Sequence, residues 1–562
     1  MSLFSALNIG VRGLNASQLG MNITGQNITN SNVEGYSRKR INAAADYRFH
    51  DQYGQIGFGV EIISIDRMRN EFLDKQIRQQ NESVGTYKEI NYALENIENI
   101  FTEPGETGIM TYIDKFFDSW ENLTSNPADI AARTMVKTNG EILTNVFHNI
   151  SIELRDLRST RNDEMQSRIE NINVLTSKIL NLNNEIATVE IGSQNANDSR
   201  DKRDLLLKTL SSLIEINTIE NDVGQVTVTT SGNIIVSPID IQELELTTVG
   251  GTYPDGSTYN DIGIRFKDSR RVYNPTGGEL KGLVEARDVY IPEYIDWIDS
   301  IAQDLVRSVN QQHLLGYNLM GYNGFNFFDP QTTGAYDIKL SDSILSDVKN
   351  IAAALANQST PATTNTVALG ALNFGNIYQL TEDGFVSTGP ADPENVNNIV
   401  QGTVVVSIGG TALIENVDYS VNYINGTVQM LHNGYDNNVV VVNYDYNTGN
   451  FSGPGDNENA ILISQLRHQL TMDPSATGNY TATFDQFYSS VIGRLGFQRN
   501  EAASNLETRE YLVNQYEMTQ DSIAGVSIDE EMANLIQYQH TYQASARIIA
   551  TANLMLDTLM NL

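Results

Sequence analysis

The stretch IDEEMANLIQYQHTYQASAR, residues 528–547, begins the segment that decides the fold and continues to Leu562. A seven-residue repeat places side chains on one stripe of a helix and favours left-handed packing against another helix. The small side chains of this segment would let a partner backbone approach closely. The repeat consists of Ile528, Leu535, Tyr542, Ile549 and Leu556. Three residues after each of the last four lie Tyr538, Ser545, Ala552 and Leu559, which form the second position of the repeat.

The first 30 residues carry a matching repeat, formed by Leu7, Leu14, Met21 and Ile28. Five Gly or Ser residues lie between these positions, and glycine costs roughly 1 kcal/mol per helix position relative to alanine. Two apolar stripes at opposite ends of one chain predict that the termini pair. Burial of these nine residues offsets only part of the entropy lost on ordering both ends. We therefore expect the ends to order fully only among neighbouring subunits; the alternative is an ordinary intramolecular helical hairpin.

Composition excludes several classes of function. The 562 residues allow three or four domains, and 69 acidic against 36 basic residues give a formal charge of −33. This charge argues against nucleic acid and an anionic membrane as partners. Without cysteine there is no disulfide or thiolate metal site. No apolar stretch approaches the length of a membrane span, and we expect no cleaved Sec signal.

The periodicity changes several times between the termini. Met165, Ile172, Ile179 and Ile186 predict one long helix with an apolar seam, which ends at Gly192. Alternating patterns predict strands from about 218 to 273 and again from 316 to 458. Helical spacing is seen from about 70 to 124, with a break at Pro104. A further helix is predicted to start with Pro127 near its first position. Helical spacing returns from 278 to 315, near 459, and again from 483 to 520.

The predicted fold is therefore α+β and multidomain. A long α-helical coiled-coil core is built from both chain ends and both halves, with inserted β-rich outer domains. The expected division is a terminal axial coiled coil (1–40 and 525–562), a helical rod (41–217, 274–315 and 459–524), a small β insertion (218–273) and an outer β-rich domain (316–458).

No pattern of catalytic residues stands out. The sequence contains no zinc-protease, P-loop, nucleophile-elbow or dinucleotide-binding motif, and its six histidines lie far apart. We expect no catalytic site, no cofactor and no metal. The Asn-rich segment 24–40 predicts a helix ending near Asn30 and an extended arm; on its residues alone, a capped loop is the favoured interpretation.

The terminal motifs resemble those of the bacterial flagellar rod, hook and hook-associated proteins. The N-terminal signature is NITGQNITNSNVEGYSR (22–38), and the C-terminal one is the stretch quoted first. Several interior segments are similar to the hook-associated branch of these proteins. They are 173–186, NDSRDKRDLLL (197–207), GGELKGLVEARD (277–288), 309–316 and 321–328. Glu34, Lys39, Ser199 and Arg200 depart from the usual pattern, whereas Asp201, Arg203 and Asp204 keep it.

This resemblance implies a structural junction protein, a ring of identical subunits that joins hook to filament. It implies contacts with itself, with hook protein and with hook-associated protein 3, and an export chaperone on the C-terminal helix. It also implies passage through the flagellar type III export channel to an extracellular position. The expected assembly interface is formed by Leu7, Leu14, Met21, Ile28, Ile528, Leu535, Tyr542, Ile549 and Leu556. Another axial protein, such as the hook or distal rod protein, is the alternative; a secreted adhesin or enzyme is a more distant one.

Overall fold

A long helix lies at each end of the chain, and the two form an antiparallel pair. The computed structural model describes residues 3–50, 54–101, 108–192, 194–355, 363–369, 377–381, 384–387, 404–415, 418–422, 427–431, 440–446, 453–474 and 480–560. Helix α1 spans Leu3–Thr29 and helix α11 spans Ile528–Met560. The predicted end of the first helix near Asn30 is confirmed. The predicted break at Pro104 lies outside the described residues.

The helical rod combines segments from both halves of the chain, as predicted. Its helices are α2 (Glu71–Phe101), α3 (Ile109–Ser125), α4 (Ile130–Glu190), α5 (Asn197–Leu213), α6 (Gly278–Glu285), a π-helical turn (Ala286–Tyr290), α7 (Ile291–Leu315) and α10 (Phe484–Ala524). Residues of α2, α3, α4, α7 and α10 share one apolar core around the fully buried Trp120. Thr483 starts α10 with a capping box that it forms with Gln486.

Helix α4 is the longest element, with 61 residues, and therefore extends about 90 Å. It begins after Pro127, because Asp129 caps it by accepting a hydrogen bond from the Ala131 N–H at 2.9 Å. Pro127 thus lies before the helix rather than near its first position. The predicted seam of Met165, Ile172, Ile179 and Ile186 is buried throughout. This seam holds the small β insertion against the rod.

The small β insertion has two parts. Strands β3 (Asn217–Glu220), β4 (Val226–Thr230) and β5 (Asn233–Val236) form one antiparallel sheet, and β6 (Leu244–Thr252) pairs with β7 (Thr258–Phe266). The β6–β7 hairpin is held on α4 by stacked side chains. The guanidinium of Arg155 lies 4.0 Å from the ring centre of Tyr253, and that of Arg158 lies 3.9 Å from Tyr259.

Residues 41–67 differ from the prediction. They were expected to belong to the helical rod, but β1 (Lys39–His50) and β2 (Gly54–Arg67) form a long antiparallel hairpin. The hairpin lies beside α1, where Arg12 pairs with Asp46 at 2.5 Å. The local signal for the second strand is the alternation of Ile56, Phe58, Val60 and Ile62 with glycine or polar residues.

The boundary of the outer β-rich domain also differs. Residues 316–355 were expected in that domain, yet Phe327, Phe328 and Leu340 are buried in the rod core. This segment contains only α8 (Asp342–Ser346) and a 3₁₀ turn (Val348–Asn350) as regular helical structure. His313 holds it in place: its Nδ1 lies 2.6 Å from the Phe325 oxygen, and its Nε2 accepts from the Ala352 N–H at 2.9 Å. The rod therefore extends to about Leu355.

Within the described residues, the outer domain forms two four-stranded antiparallel sheets. Its strands are β8 (Thr363–Leu369), β9 (Ile377–Thr381), β10 (Gly384–Ser387), β11 (Val405–Ile408), β12 (Thr411–Ala412), β13 (Tyr419–Asn422), β14 (Thr427–Met430) and β15 (Val440–Tyr446). The strand orders are β10-β9-β14-β13 and β12-β11-β15-β8. The predicted strand region is confirmed within the described residues.

The chain enters and leaves the outer domain at one place. The Leu355 N–H donates to Asp456 Oδ2 at 2.9 Å, and the Ala460 N–H donates to the Ala353 oxygen at 3.0 Å. Beyond this crossing lie α9 (Glu458–Gln465), a 3₁₀ turn (Leu466–His468), and the short strands β16 (Met472–Pro474) and β17 (Tyr480–Ala482).

Glu82 makes the rod sensitive to pH. Its carboxylate accepts the Ile216 N–H at 3.0 Å, and burial raises its pKa to about 7. Because the folded pKa lies above the unfolded value, stability is lost as pH rises from about 4.5 through 7. Glu82→Gln keeps an acceptor without the charge. We expect it to stabilise the rod by roughly 1–2 kcal/mol at pH 8, allowing for partial exposure, and to have no effect at pH 4.

Thermal unfolding of the full chain at both pH values measures this difference. Glu153→Gln on α4, where the glutamate is exposed, is the matched control and should leave the melting temperature unchanged. Equal stabilisation by Glu82→Gln at pH 4 and pH 8 would contradict the assignment.

Candidate assembly site: the terminal helix pair and its anchor

The α1–α11 contact is built on small residues. A Cβ atom added at Gly10 would lie 2.7 Å from Ile549 Cγ1, and one at Gly13 would lie 2.6 Å from Ser545 Oγ. At Gly20 the ring of Tyr538 would be 2.6 Å away. Real side chains do not approach so closely, so the glycines are needed for the two backbones to meet. The close approach expected at the small residue Ser545 is confirmed.

The predicted apolar stripes fill this contact only in part, where Ile549 faces Gly10. Leu7, Leu14, Met21 and Ile28 are only partly buried, as are Leu535, Tyr542, Ile549 and Leu556. Ile528 is 51% exposed. The two helices do pair within one chain, as in the intramolecular alternative. The pair nevertheless leaves every predicted interface residue at least partly accessible. Whether the ends order only on assembly stays a prediction.

Helix α11 buries very little of itself. Among its described side chains, only Glu531, Ser545 and Ala552 are buried. Large apolar side chains remain exposed on its other faces, and soluble monomers rarely expose so many in one element. Those on α11 beyond the predicted stripe are Met532, Ile536, Ile548, Leu554, Met555 and Met560.

Glu531 connects the helix pair to the N-terminal arm. Its carboxylate accepts from Asn27 Nδ2 at 2.9 Å and from Arg38 Nε at 2.9 Å. Asn27 Oδ1 in turn accepts the Lys39 N–H at 3.0 Å and the Tyr36 hydroxyl at 2.8 Å. Burial and nearby carboxylates, led by Asp198 and Asp201, raise the pKa of Tyr36 to about 12, so its hydroxyl remains a donor.

The arm is connected in turn to α5. Asp201 accepts the Ser37 N–H at 3.0 Å and the Ser37 hydroxyl at 2.7 Å. Arg67 lies 3.0 Å from Asp201 and 2.6 Å from Asp204. Burial alone raises the pKa of Asp204, but the nearby arginines, led by Arg69 and Arg67, outweigh it and lower that pKa.

We call this connected set the anchor. Arg69 completes it by pairing with Asp74 at 2.8 Å, which adds α2 to the same cluster. Arginine and carboxylate groups are costly to bury singly, so each depends on the others. The anchor consists of Asn27, Ser37, Arg38, Arg67, Arg69, Asp74, Asp201, Asp204 and Glu531.

The capped-loop interpretation of segment 24–40 is therefore wrong. Asn27 lies inside α1 and bonds across the chain to residue 531, which no local pattern could indicate. The residues of the N-terminal signature, the C-terminal signature and the interior run around Asp201 meet in the anchor. Sequence reasoning missed Arg67, Arg69 and Asp74, because isolated arginines and aspartates in a charged chain carry no distinguishing spacing.

The departures from the family pattern at positions 39, 199 and 200 are locally compensated. Lys39 pairs with Asp198, and the Ser199 hydroxyl donates to Glu185 Oε1 at 2.8 Å. Arg200 pairs with Glu190 at 2.6 Å and with Glu220 at 2.8 Å. The polar residues at these positions thus attach α5 to the end of α4 and to β3.

A cleft lies beside the anchor. The cleft has a volume of about 860 Å³ and is lined by charged side chains of both signs, among them Arg38, Arg69, Asp74 and Glu530. Within the described residues, no cluster of three histidine or carboxylate side chains has the geometry of a metal site. None of the described helices combines the length and apolar character needed to cross a bilayer.

The close packing of α1 predicts opposite effects for two glycines. Gly13→Ala places a methyl group against Ser545 and should weaken the pair. Gly25→Ala meets nothing within 4 Å and should strengthen α1 by roughly 1 kcal/mol. Amide hydrogen exchange of 528–560 in the full chain measures both effects. Faster exchange in Gly25→Ala, or no change in Gly13→Ala, would contradict the observed packing.

The anchor predicts a contrast between adjacent glutamates. Glu531→Ala leaves Asn27 and Arg38 without their buried partner and should release α11, with exchange in 528–545 at least ten times faster. The side chain of Glu530 is 64% exposed, so Glu530→Ala should change exchange less than twofold. Equal effects of the two substitutions would contradict the anchor.

Two family models match the sequence. The model described as "Flagellar hook-associated protein FlgK helical domain" matches residues 94–328. The model described as "Flagellar basal body rod FlgEFG protein C-terminal" matches residues 521–562. The first covers most of the rod and the small β insertion, and the second covers α11.

Similar proteins match along the whole chain. "Flagellar hook-associated protein 1" of Bacillus subtilis is 28% identical, over 100% of this chain and 98% of its own length. The protein of the same name in Salmonella typhimurium is 25% identical, over 99% and 100%. A solved structure, the flagellar hook junction protein FlgK from Burkholderia pseudomallei, aligns with a TM-score of 0.55 and 17% identity over 80% of this chain and 100% of that one. This last likeness supports the fold alone.

Proposed function

We propose that this chain, which belongs to the family of flagellar hook-associated proteins, is the structural protein that joins hook to filament. The observation that carries the proposal is the state of α11. A helix of 33 residues with only three buried side chains among those described has most of its surface available for other subunits. Such a helix gains its packing when copies assemble side by side.

The assembly interface lies on the terminal helix pair. The nine predicted residues are all partly or largely accessible, although Ile549 also faces Gly10 in the glycine contact. Because the α1–α11 contact uses Gly10, Gly13 and Gly20, the heptad side chains are left for neighbouring pairs. A ring of such pairs would bury them in coiled-coil packing around an axis. The nine residues are Leu7, Leu14, Met21, Ile28, Ile528, Leu535, Tyr542, Ile549 and Leu556.

The remaining domains have separate roles in this proposal. The terminal pair, 1–40 and 525–562, forms the inner part of the ring. The rod, extended to residue 355, forms the wall, and the outer β-rich domain lies beyond it. The partners are further copies of this chain, hook protein and hook-associated protein 3. The names of the relatives support association with the flagellum, and the resemblance supplies these specific partners.

Export to the cell exterior is the second part of the proposal. Passage through the flagellar type III channel requires an unfolded chain, and the absence of cysteine removes disulfides that would oppose unfolding. An export chaperone covering α11 would shield Met532, Ile536 and Leu554, which are 45%, 50% and 70% exposed. The relatives are structural proteins, so the proposal includes no catalytic activity.

Another axial protein is the alternative that the sequence left open. The C-terminal match at 521–562 is to a model named for rod proteins, so α11 alone does not separate these members. The interior of the chain distinguishes a hook-associated protein from another axial protein, because residues 94–328 match the helical domain of hook-associated proteins. The buried seam of α4 lies in this region. The interior therefore favours the junction protein.

Leu535→Asp tests the interface. A charge in the stripe should abolish assembly, because burying an unpaired carboxylate between helices is costly. The side chain is already partly exposed in the single chain, so the melting temperature should change little. Motility and electron microscopy of flagella measure assembly, and Gln537→Asp, at an exposed position of the same helix, is the control.

Normal flagella with Leu535→Asp would contradict the interface. A large fall in the melting temperature of the free chain would instead assign Leu535 to the stability of the single subunit.

Deletion of 528–562 should leave a folded rod that does not join the structure. Normal motility after that deletion would contradict the proposed function.

A further inference from the structure

Exposed methionine is concentrated on α11. The chain contains 13 methionines and no cysteine, so methionine holds all of its sulfur. Among the described residues, six methionine side chains are largely exposed. Three of the six lie on α11, although this helix has only 33 of the 562 residues. We call these three the α11 methionines; they are Met532, Met555 and Met560, which are 45%, 53% and 84% exposed.

The α11 methionines lie beside the heptad stripe on which the proposed assembly depends. Met555 directly precedes Leu556 of the first heptad position, and Met560 directly follows Leu559 of the second. Met532 has the same heptad position as Met560, since the two are 28 residues, or four heptads, apart. In a coiled coil, these positions flank the two core positions. Copies that pack through the stripe would therefore also cover these three thioethers.

We propose that the α11 methionines are a modification site for peroxides, and that their oxidation prevents the chain from assembling. The inference rests on the proposed function, because it concerns the same helix. The oxidant is hydrogen peroxide or an organic hydroperoxide. The thioether sulfur attacks a peroxide oxygen, so that an S–O bond forms as the O–O bond breaks. The proton of the transferred oxygen passes to the departing hydroxide or alkoxide, which leaves as water or an alcohol. Sulfur is thereby oxidised to the sulfoxide, and the peroxide is reduced.

Exposure limits which methionines react in the folded chain. No thiol competes for the peroxide, because the chain has no cysteine. Met165, Met430 and Met472 are at most 1% exposed, so a peroxide does not reach their sulfur. The exposed methionines outside α11 react as well, but they lie away from the terminal helix pair and provide an internal control. They are Met135, Met320 and Met518, which are 53%, 52% and 66% exposed.

A sulfoxide changes what α11 can bury. Methionine packs as a flexible apolar side chain, whereas its sulfoxide is polar and binds water. Assembly would remove that water, and the adjacent leucines of the stripe supply no hydrogen-bond donor in its place. Burying a polar group without a partner opposes association. In the single chain the three side chains stay in solvent, so the modification acts on assembly and leaves the fold of the subunit intact.

Treatment of the full-length chain with hydrogen peroxide tests the site. Peptide mass spectrometry should find an added mass of about 16 Da on each α11 methionine and none on Met165 or Met472. In a sedimentation assay, the treated chain should bind isolated hooks roughly tenfold less than the untreated chain. Its melting temperature should not change. Equal hook binding before and after oxidation of the α11 methionines would overturn the proposal.

Reduction of the treated chain provides a second measurement that needs no substitution. Methionine sulfoxide reductases specific for the two sulfoxide epimers should together restore hook binding. Binding that stays low after the sulfoxides have been reduced would overturn the proposal, because the loss would then come from other damage.

Two triple substitutions separate the α11 methionines from the other exposed ones. Leucine at all three α11 positions keeps an apolar side chain without sulfur, so this variant should bind hooks equally with and without peroxide treatment. The matched control, Met135→Leu with Met320→Leu and Met518→Leu, should keep the full sensitivity of the unaltered chain. Loss of sensitivity in the control variant alone would overturn the assignment to α11.

The untreated chain distinguishes failure of this inference from failure of the proposed function. If the untreated, unaltered chain does not bind hooks, the proposed function is contradicted. If it binds and peroxide leaves that binding unchanged, only the modification site is contradicted.

Discussion

The position of the terminal helix pair depends on one buried carboxylate. Glu531 is 2% exposed and holds both Asn27 and Arg38. Since α11 buries only two other described side chains, these hydrogen bonds contribute strongly to where it lies relative to the N-terminal arm. The anchor transfers this constraint through Ser37 and Asp201 to α5. Directional hydrogen bonds thus fix a geometry that apolar contacts would leave free to slide.

The composition of α1 follows from a conflict between two requirements. The helix must pack closely within its own chain and still present apolar side chains to other subunits. Glycine meets the first requirement, because its missing Cβ lets α11 approach at Gly10, Gly13 and Gly20. The heptad leucines are then free for the second. The helix propensity lost to glycine is the cost of dividing one narrow helix between two contacts.

Much of the fold could be predicted from the sequence, because it is expressed in local periodicity. The seam from Met165 to Ile186, the helix that Thr483 caps and the strands of the insertions all have repeats that identify them. The hairpin at 39–67 and the rod segment at 316–355 were assigned to the wrong units. Their burial is decided by distant partners, as with Phe327 against Trp120. A boundary drawn from composition does not register such contacts.

The candidate site could be predicted only in part. The heptad residues were identified by spacing alone, whereas the anchor depends on contacts such as Asn27 to Glu531, separated by 504 positions. Family resemblance marked the motifs that contain these residues but did not indicate that they meet. Arg67 and Arg69 belong to no repeat, so only three-dimensional proximity identifies them.

The crossing at Leu355 and Asp456 has a consequence for how such chains diversify. Both connections to the outer β-rich domain pass through the same small region, with Ala353 and Ala460 hydrogen-bonded beside it. Exchange, enlargement or loss of everything between them leaves the ends the same distance apart, so the rod need not adjust. The outer β-rich domain can therefore differ in sequence and size while the rod keeps the same structure.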